Sequence, residues 1–208
     1  MSRIKSASIW LMGALLLAGP AFAAERLPTI APDQYNAEQK KAAEDFLAAR
    51  KTPVFGPFEP MMHSPEVMSL ARSTGDYLRY HSALGNTLSE LVILITARDW
   101  SQDYEWFVHY PIALKAGIAK SIADAIGDGA RPSGMSSDEE IVYDFTTELL
   151  KNKRVSDATF SRAEQRFGKK GVVDMTGIAG YYTFLAMQLN MARYQFSGEG
   201  PRLSRFPN

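Results

Sequence analysis

The chain of 208 residues contains no cysteine. That absence excludes disulfides, cysteine-ligated zinc, iron–sulfur clusters and thiol peroxidase chemistry. It also lacks a charge excess: Lys+Arg and Asp+Glu are both 23. A balanced chain does not have the cationic surplus that phosphate-backbone binding needs, so no nucleic-acid partner is expected. Histidine is scarce, with His63, His81 and His109 as its complete set. None forms an HxH or HExxH pattern, so no metal site is predicted. There is no glycine-rich phosphate loop after a strand and no GxSxG elbow. Beyond the first residues, no segment is long and apolar enough to span a bilayer.

What is present begins with an export signal. Arg3 and Lys5 form a basic start, Ile9 to Ala18 a short apolar stretch, and Pro20-Ala21-Phe22-Ala23 a small-x-small cleavage site. Residues 1–23 therefore read as a signal peptide. Cleavage near Ala23 leaves an exported protein, expected in a bacterial periplasm and away from the membrane.

The remainder reads as helix after helix, an all-α fold. An N-terminal extension, 24–60, holds one helix, Ala37 to Lys51, with Asp33 as its expected cap. A Pro-rich linker, Thr52 to Pro60, follows. Ser64-Pro65-Glu66 signals a helix start, running to about Ala83 and ending at Gly85. Thr87-Leu88-Ser89-Glu90 has capping-box spacing and opens a second helix through the apolar run Leu91 to Ile95. That run alone also fits a buried strand. Further helices are predicted over Gln102 to Ala116, Ile118 to Ile126, Ser136 to Lys151 and Ser156 to Phe167. A last one, Val172 to Phe196, is interrupted by Gly177 and Gly180. The main domain is placed at 61–196, with a loose tail at 197–208.

One helix face carries candidate chemistry. Gln102, Glu105 and His109 are spaced three and four residues apart and project from one side. A carboxylate one turn before an imidazole can orient the ring and hold its proton, making His109 a candidate acid or base. The same spacing also describes a solvated Glu–His pair on an exposed helix. Arg98 could grip a substrate carboxylate at two points, with Tyr104 and Trp106 close by in sequence. Glu90 has two readings: last residue of the capping box, or part of the site. Tyr181, Tyr182 and Asn190 suit core positions whose polar tips find partners. His63 and His81 read as surface or structural residues.

The segment Leu88-Ser89-Glu90-Leu91-Val92-Ile93-Leu94 through Tyr104-Glu105-Trp106-Phe107-Val108-His109, then Ala113 and Ala116-Gly117, resembles the carboxymuconolactone decarboxylase family. That family is similar to the alkylhydroperoxidase D group. Redox members carry Glu, eleven residues, Cys, two residues, Cys, three residues, His. Here Glu90 and His109 match, while Gln102 and Glu105 replace both thiols, so thiol peroxidase activity is excluded. The resemblance spans roughly residues 60–195 and is most specific in two adjacent helices.

The resemblance implies an alkylhydroperoxidase D-like helical domain that assembles as a homo-oligomer, a trimer or hexamer. It implies a cofactor-independent lyase that decarboxylates a small-molecule lactone or aromatic-derived unsaturated acid. His109 would be the proton donor or acceptor, oriented by Glu90 or Glu105. Arg98 would anchor the anion, Gln102 would contribute to the substrate site, and Tyr104 and Trp106 would form pocket walls. The apparent export and the N-terminal extension depart from the minimal family domain and point to a substrate other than the namesake's. Two readings stay open beside it: a non-enzymatic oligomeric binding or stress-related protein with a degenerate redox site, and metal-dependent hydrolysis with Glu90, Glu105 and His109 as ligands.

Overall fold

A computed structural model describes residues 24–203; the signal-peptide reading of 1–23 lies outside the described residues, as do 204–208. Among the described residues the regular structure is helical, with no strand, and the all-α expectation holds. The elements are α1 (Ala37–Arg50), α2 (Phe58–Met61), α3 (Pro65–Tyr80), α4 (Gly85–Asp99), α5 (Asp103–Ala116), α6 (Lys120–Gly127), α7 (Ser137–Asn152) and α8 (Asp157–Ala192).

Helix α4 is the centre. Its ten consecutive residues from Ser89 to Arg98 are all buried. A helix buried on every side needs neighbours on every side, and α3, α5, α6, α7 and α8 supply them. Burying Leu91, Val92, Ile93 and Leu94 contributes about 2 kcal/mol each. The apolar run that also fitted a strand is thus helical, because its surroundings, not an amphipathic stripe, satisfy it.

Local chemistry sets most helix ends. Asn36, not Asp33, caps α1: its side chain accepts from the Gln39 N–H and the Gln39 side chain answers. Asp33 lies instead in a short 3-10 turn, Pro32–Gln34. The Ser136–Glu139 capping box opens α7 as expected. Ser64 precedes Pro65 at the start of α3, but its side chain makes no capping bond. Gly117 closes α5 in the left-handed region. The two last predicted helices are two helical stretches within α8, joined at a break at Gly168 where the first was expected to end. There φ is 68° and ψ is 173°, a region that an L side chain avoids. Beyond the break α8 runs through Gly177 and Gly180 without interruption and ends at Ala192 rather than Phe196.

Two peripheral segments are more integrated than their composition suggests. The 24–60 extension shares the main core: Phe46 and Phe58 are fully buried, and Phe46, Phe55 and Phe58 meet edge to face. The proline-rich stretch itself contains α2. The described part of the tail, 197–203, is docked rather than loose. The Leu203 N–H donates to Asp103 Oδ1 at 2.9 Å, and Gly198 and Gly200 pack on the Phe107 ring.

Helices α3 and α8 approach closely at Gly75, which lies against the hydroxyl and ring of Tyr181. A Cβ at this position would overlap that ring, and Tyr181 is buried and cannot swing away. Gly75→Ala should therefore lower stability by about 1–3 kcal/mol despite the better helix propensity of alanine. Urea unfolding reads the difference, and an unchanged or raised midpoint would mean that the ring is free to move.

Candidate functional site

Four helices bring one buried polar cluster together. Glu90 comes from the middle of α4, Glu105 and His109 from one face of α5, Arg79 from the last turn of α3, and Tyr182 from α8. Glu90, Glu105 and His109 are 2%, 3% and 3% exposed. The solvated-pair reading of Glu105 and His109 is thus excluded.

His109 Nδ1 lies 2.7 Å from Glu90 Oε2. With Glu90 ionised, Nδ1–H donates to it, which leaves the Nε2 lone pair on the opposite side of the ring. Nε2 faces Glu105 Oε2 at 3.7 Å, too long for a direct hydrogen bond. The guanidinium of Arg79 stands 3.9 Å from Glu90 Oε1. Tyr182 closes the cluster, its ring edge-on to the imidazole with centroids 5.0 Å apart.

The two carboxylates have different surroundings. Glu105 Oε1 has no hydrogen-bond partner among the described residues. Burial pushes the Glu105 carboxyl up to about 7; the nearby His109 and Arg79 oppose the shift and Glu90 adds to it. Glu105 can therefore hold or release a proton near neutral pH. Burial likewise holds the Tyr182 phenol well above its ordinary range.

Glu90 is not a cap. Helix α4 begins at Gly85, so Glu90 lies inside it, and the Thr87 hydroxyl donates to the Ala116 carbonyl on α5 instead. The carboxylates approach opposite ring nitrogens, so the imidazole separates them. This geometry does not form the chelate that the metal reading requires. Among the described residues, no group of His, Asp and Glu is arranged to hold a metal ion.

The predicted substrate-binding residues go elsewhere. Arg98 lies two turns along α4 from Glu90, about 12 Å away. It donates to the Gly127 carbonyl and the Ser101 hydroxyl and borders a different cavity of about 240 Å³. Gln102 is the N-cap of α5, accepting from the Tyr104 N–H and donating to Asn190 Oδ1 at 2.9 Å. Tyr104 packs against Gly56, Tyr194 and Phe196. Trp106 packs against Gly127 and Tyr110. Arg98 is on another helix, Gln102 is held at the N-cap of α5, and the rings of Tyr104 and Trp106 pack away from the imidazole. His63 and His81 are exposed.

Sequence reasoning missed Arg79. A basic residue in the last turn of a helix reads as a partner of the helix dipole. Its neighbour Leu78 and the buried positions Met68, Ala71 and Gly75 place that turn against the core. Comparison of the chain with protein-family models and with curated proteins gives no match.

The raised Glu105 carboxyl makes stability pH-dependent. A carboxyl whose folded-state value exceeds its unfolded value stabilises fully below the unfolded value and loses that contribution as pH rises through the folded one. The loss falls between about pH 4.5 and 7 and amounts to on the order of 3 kcal/mol. Glu105→Gln should flatten that slope in melting curves taken from pH 4.5 to 8. An equally steep slope in the variant would assign the effect to another group.

Proposed function

We propose that this chain is a cofactor-independent lyase with an alkylhydroperoxidase D-like fold, related to the carboxymuconolactone decarboxylase family. It removes CO2 from a lactone or aromatic-derived unsaturated acid. The observation that carries this reading is the buried His109 held between Glu90 and Glu105, with the second Glu105 oxygen unpartnered.

In the proposed step the C–CO2 bond breaks and its electron pair moves into a conjugated carbonyl, giving an enolate. A proton is then added to carbon. Glu105, titrating near neutral pH, stores that proton; His109 passes it from Nε2; Glu90 holds the ring by Nδ1. Dry surroundings favour the loss of charge from a carboxylate into a delocalised anion. The protein is proposed to act in the periplasm as a homo-oligomer, a trimer or hexamer. Apolar side chains on the outer faces of α3 and α8 support assembly, with Leu70 63% and Val173 68% exposed.

A second reading, a non-enzymatic binding protein with a degenerate redox site, is favoured by one observation: all three polar residues of the cluster are almost fully buried. A screen of the purified protein against unsaturated lactones and carboxylated aromatics, read by CO2 release and ultraviolet spectra, separates the two. Turnover should fall at least about 100-fold in His109→Ala and in His109→Gln. The Gln variant keeps a polar group beside Glu90 and guards against loss of fold, which circular dichroism checks. Near-wild-type activity in the folded variants overturns the assignment. Light scattering coupled to size exclusion should give three or six times the chain mass.

A further inference from the structure

A second cavity approaches the buried cluster from the side of α1 and α3. It measures about 450 Å³, within the range of small-molecule sites, and its lining includes Arg50, Thr52, Phe55, Asp76, Arg79 and Tyr80. Arg79 is the link: the same guanidinium that borders this cavity stands beside Glu90.

The polar groups here are conspicuously unfinished. Arg50 bonds Asp76 through Nε at 2.9 Å and lies over the Phe58 ring, yet its Nη2 has no acceptor among the described residues. Its side chain is 9% exposed. The Tyr181 hydroxyl, also buried, has no partner among them either. It lies against Gly75 of α3, within electrostatic reach of Arg50, Arg79 and Glu105. Glu105 Oε1 and, on α7, the Thr146 and Thr147 hydroxyls are further such atoms. Leaving a buried polar atom unsatisfied costs about 1–3 kcal/mol, more for a charged group. Of these atoms, Arg50 Nη2 belongs to a residue that lines the cavity, and an unsatisfied guanidinium N–H there marks a place for an acceptor supplied by a guest.

The charge of the lining defines that guest. The guanidiniums of Arg50 and Arg79 line the cavity with one carboxylate, Asp76, which Arg72 also pairs; Arg79 stands beside Glu90 on its far side. Two guanidiniums, one with an unpartnered Nη2, match the oxygens of a carboxylate.

We propose that this cavity is the docking site for the carboxylate of a small organic acid, with Arg50 and Arg79 as its binding residues. The acid extends from there toward Glu105 and Nε2 of His109. This anchor takes the role that sequence reasoning assigned to Arg98. The anchored group stays in place, because a carboxylate held by two guanidiniums is stabilised against loss, and the reacting bond lies at the His109 end. The proposal rests on the lyase reading for its chemistry but not for its binding.

The test uses benzoate as probe and benzamide as its uncharged counterpart, titrated calorimetrically into the full protein. Benzoate should bind saturably, and benzamide at least about tenfold more weakly. Arg79→Gln and Arg50→Lys should each weaken benzoate by about tenfold or more; the lysine keeps the charge opposite Asp76 but loses the guanidinium fork. No saturable binding at millimolar benzoate, equal binding of benzamide, or wild-type affinity in the folded arginine variants overturns the site. If a substrate is turned over with KM unchanged in both arginine variants, the site falls and the lyase stands. If benzoate binding depends on the arginines but no acid is turned over, the site stands and the lyase falls.

Discussion

The hydrogen bond between Glu90 and His109 is the constraint around which the rest is arranged. A carboxylate withdrawn from water inside a helical core costs several kcal/mol unless it is paired with good geometry. Glu90 is withdrawn because it sits mid-helix in the one element surrounded on all sides. The imidazole on α5 meets one of its oxygens and Arg79 on α3 faces the other. Three helices are thereby held in register by a single carboxylate. Thr87 bonding to the end of α5, and Tyr181 sitting in the gap left by Gly75, reinforce the same arrangement from either side.

The asymmetry between the two carboxylates follows directly. Glu90 has an imidazole N–H and a guanidinium around it. Glu105 is equally buried but has a ring nitrogen at 3.7 Å and an oxygen with no partner among the described residues. One carboxylate is therefore suited to hold a ring and the other to carry a proton, and this division of labour between acid groups in unlike surroundings underlies the lyase proposal.

Much of the local architecture was legible in particular residues. Ser136 with Glu139, Gly117 and Gly168 announce the ends they form, because capping and positive φ are short-range effects. Glu105 and His109 are four residues apart and share a face by helix geometry alone. The errors are equally specific. Thr87 and Glu90 have the spacing of a capping box but lie inside α4, whose true start at Gly85 depends on how the chain leaves α3. Gln102, read as a substrate-binding residue from its spacing to His109, instead caps α5. Arg98 is near His109 in the chain but lies at the end of α4 rather than on α5, and Tyr104, five residues before His109, is turned well away from it by the roughly 100° step per residue. The docked 197–203 segment was illegible because its partners, Asp103 and Phe107, are about a hundred residues away.

The amino-acid sequence by itself determined the helical class, most helix boundaries, the absence of sulfur chemistry and the pairing of Glu105 with His109 on one face. Those are set by composition and by interactions within a few residues. Only the tertiary structure decided that Glu90 faces His109, that Arg79 completes the cluster, and that Arg50 and Arg79 line a common cavity. Such meetings depend on which faces of α1, α3, α4, α5 and α8 pack together, and burial of apolar surface drives that packing without specifying which polar groups will end up side by side.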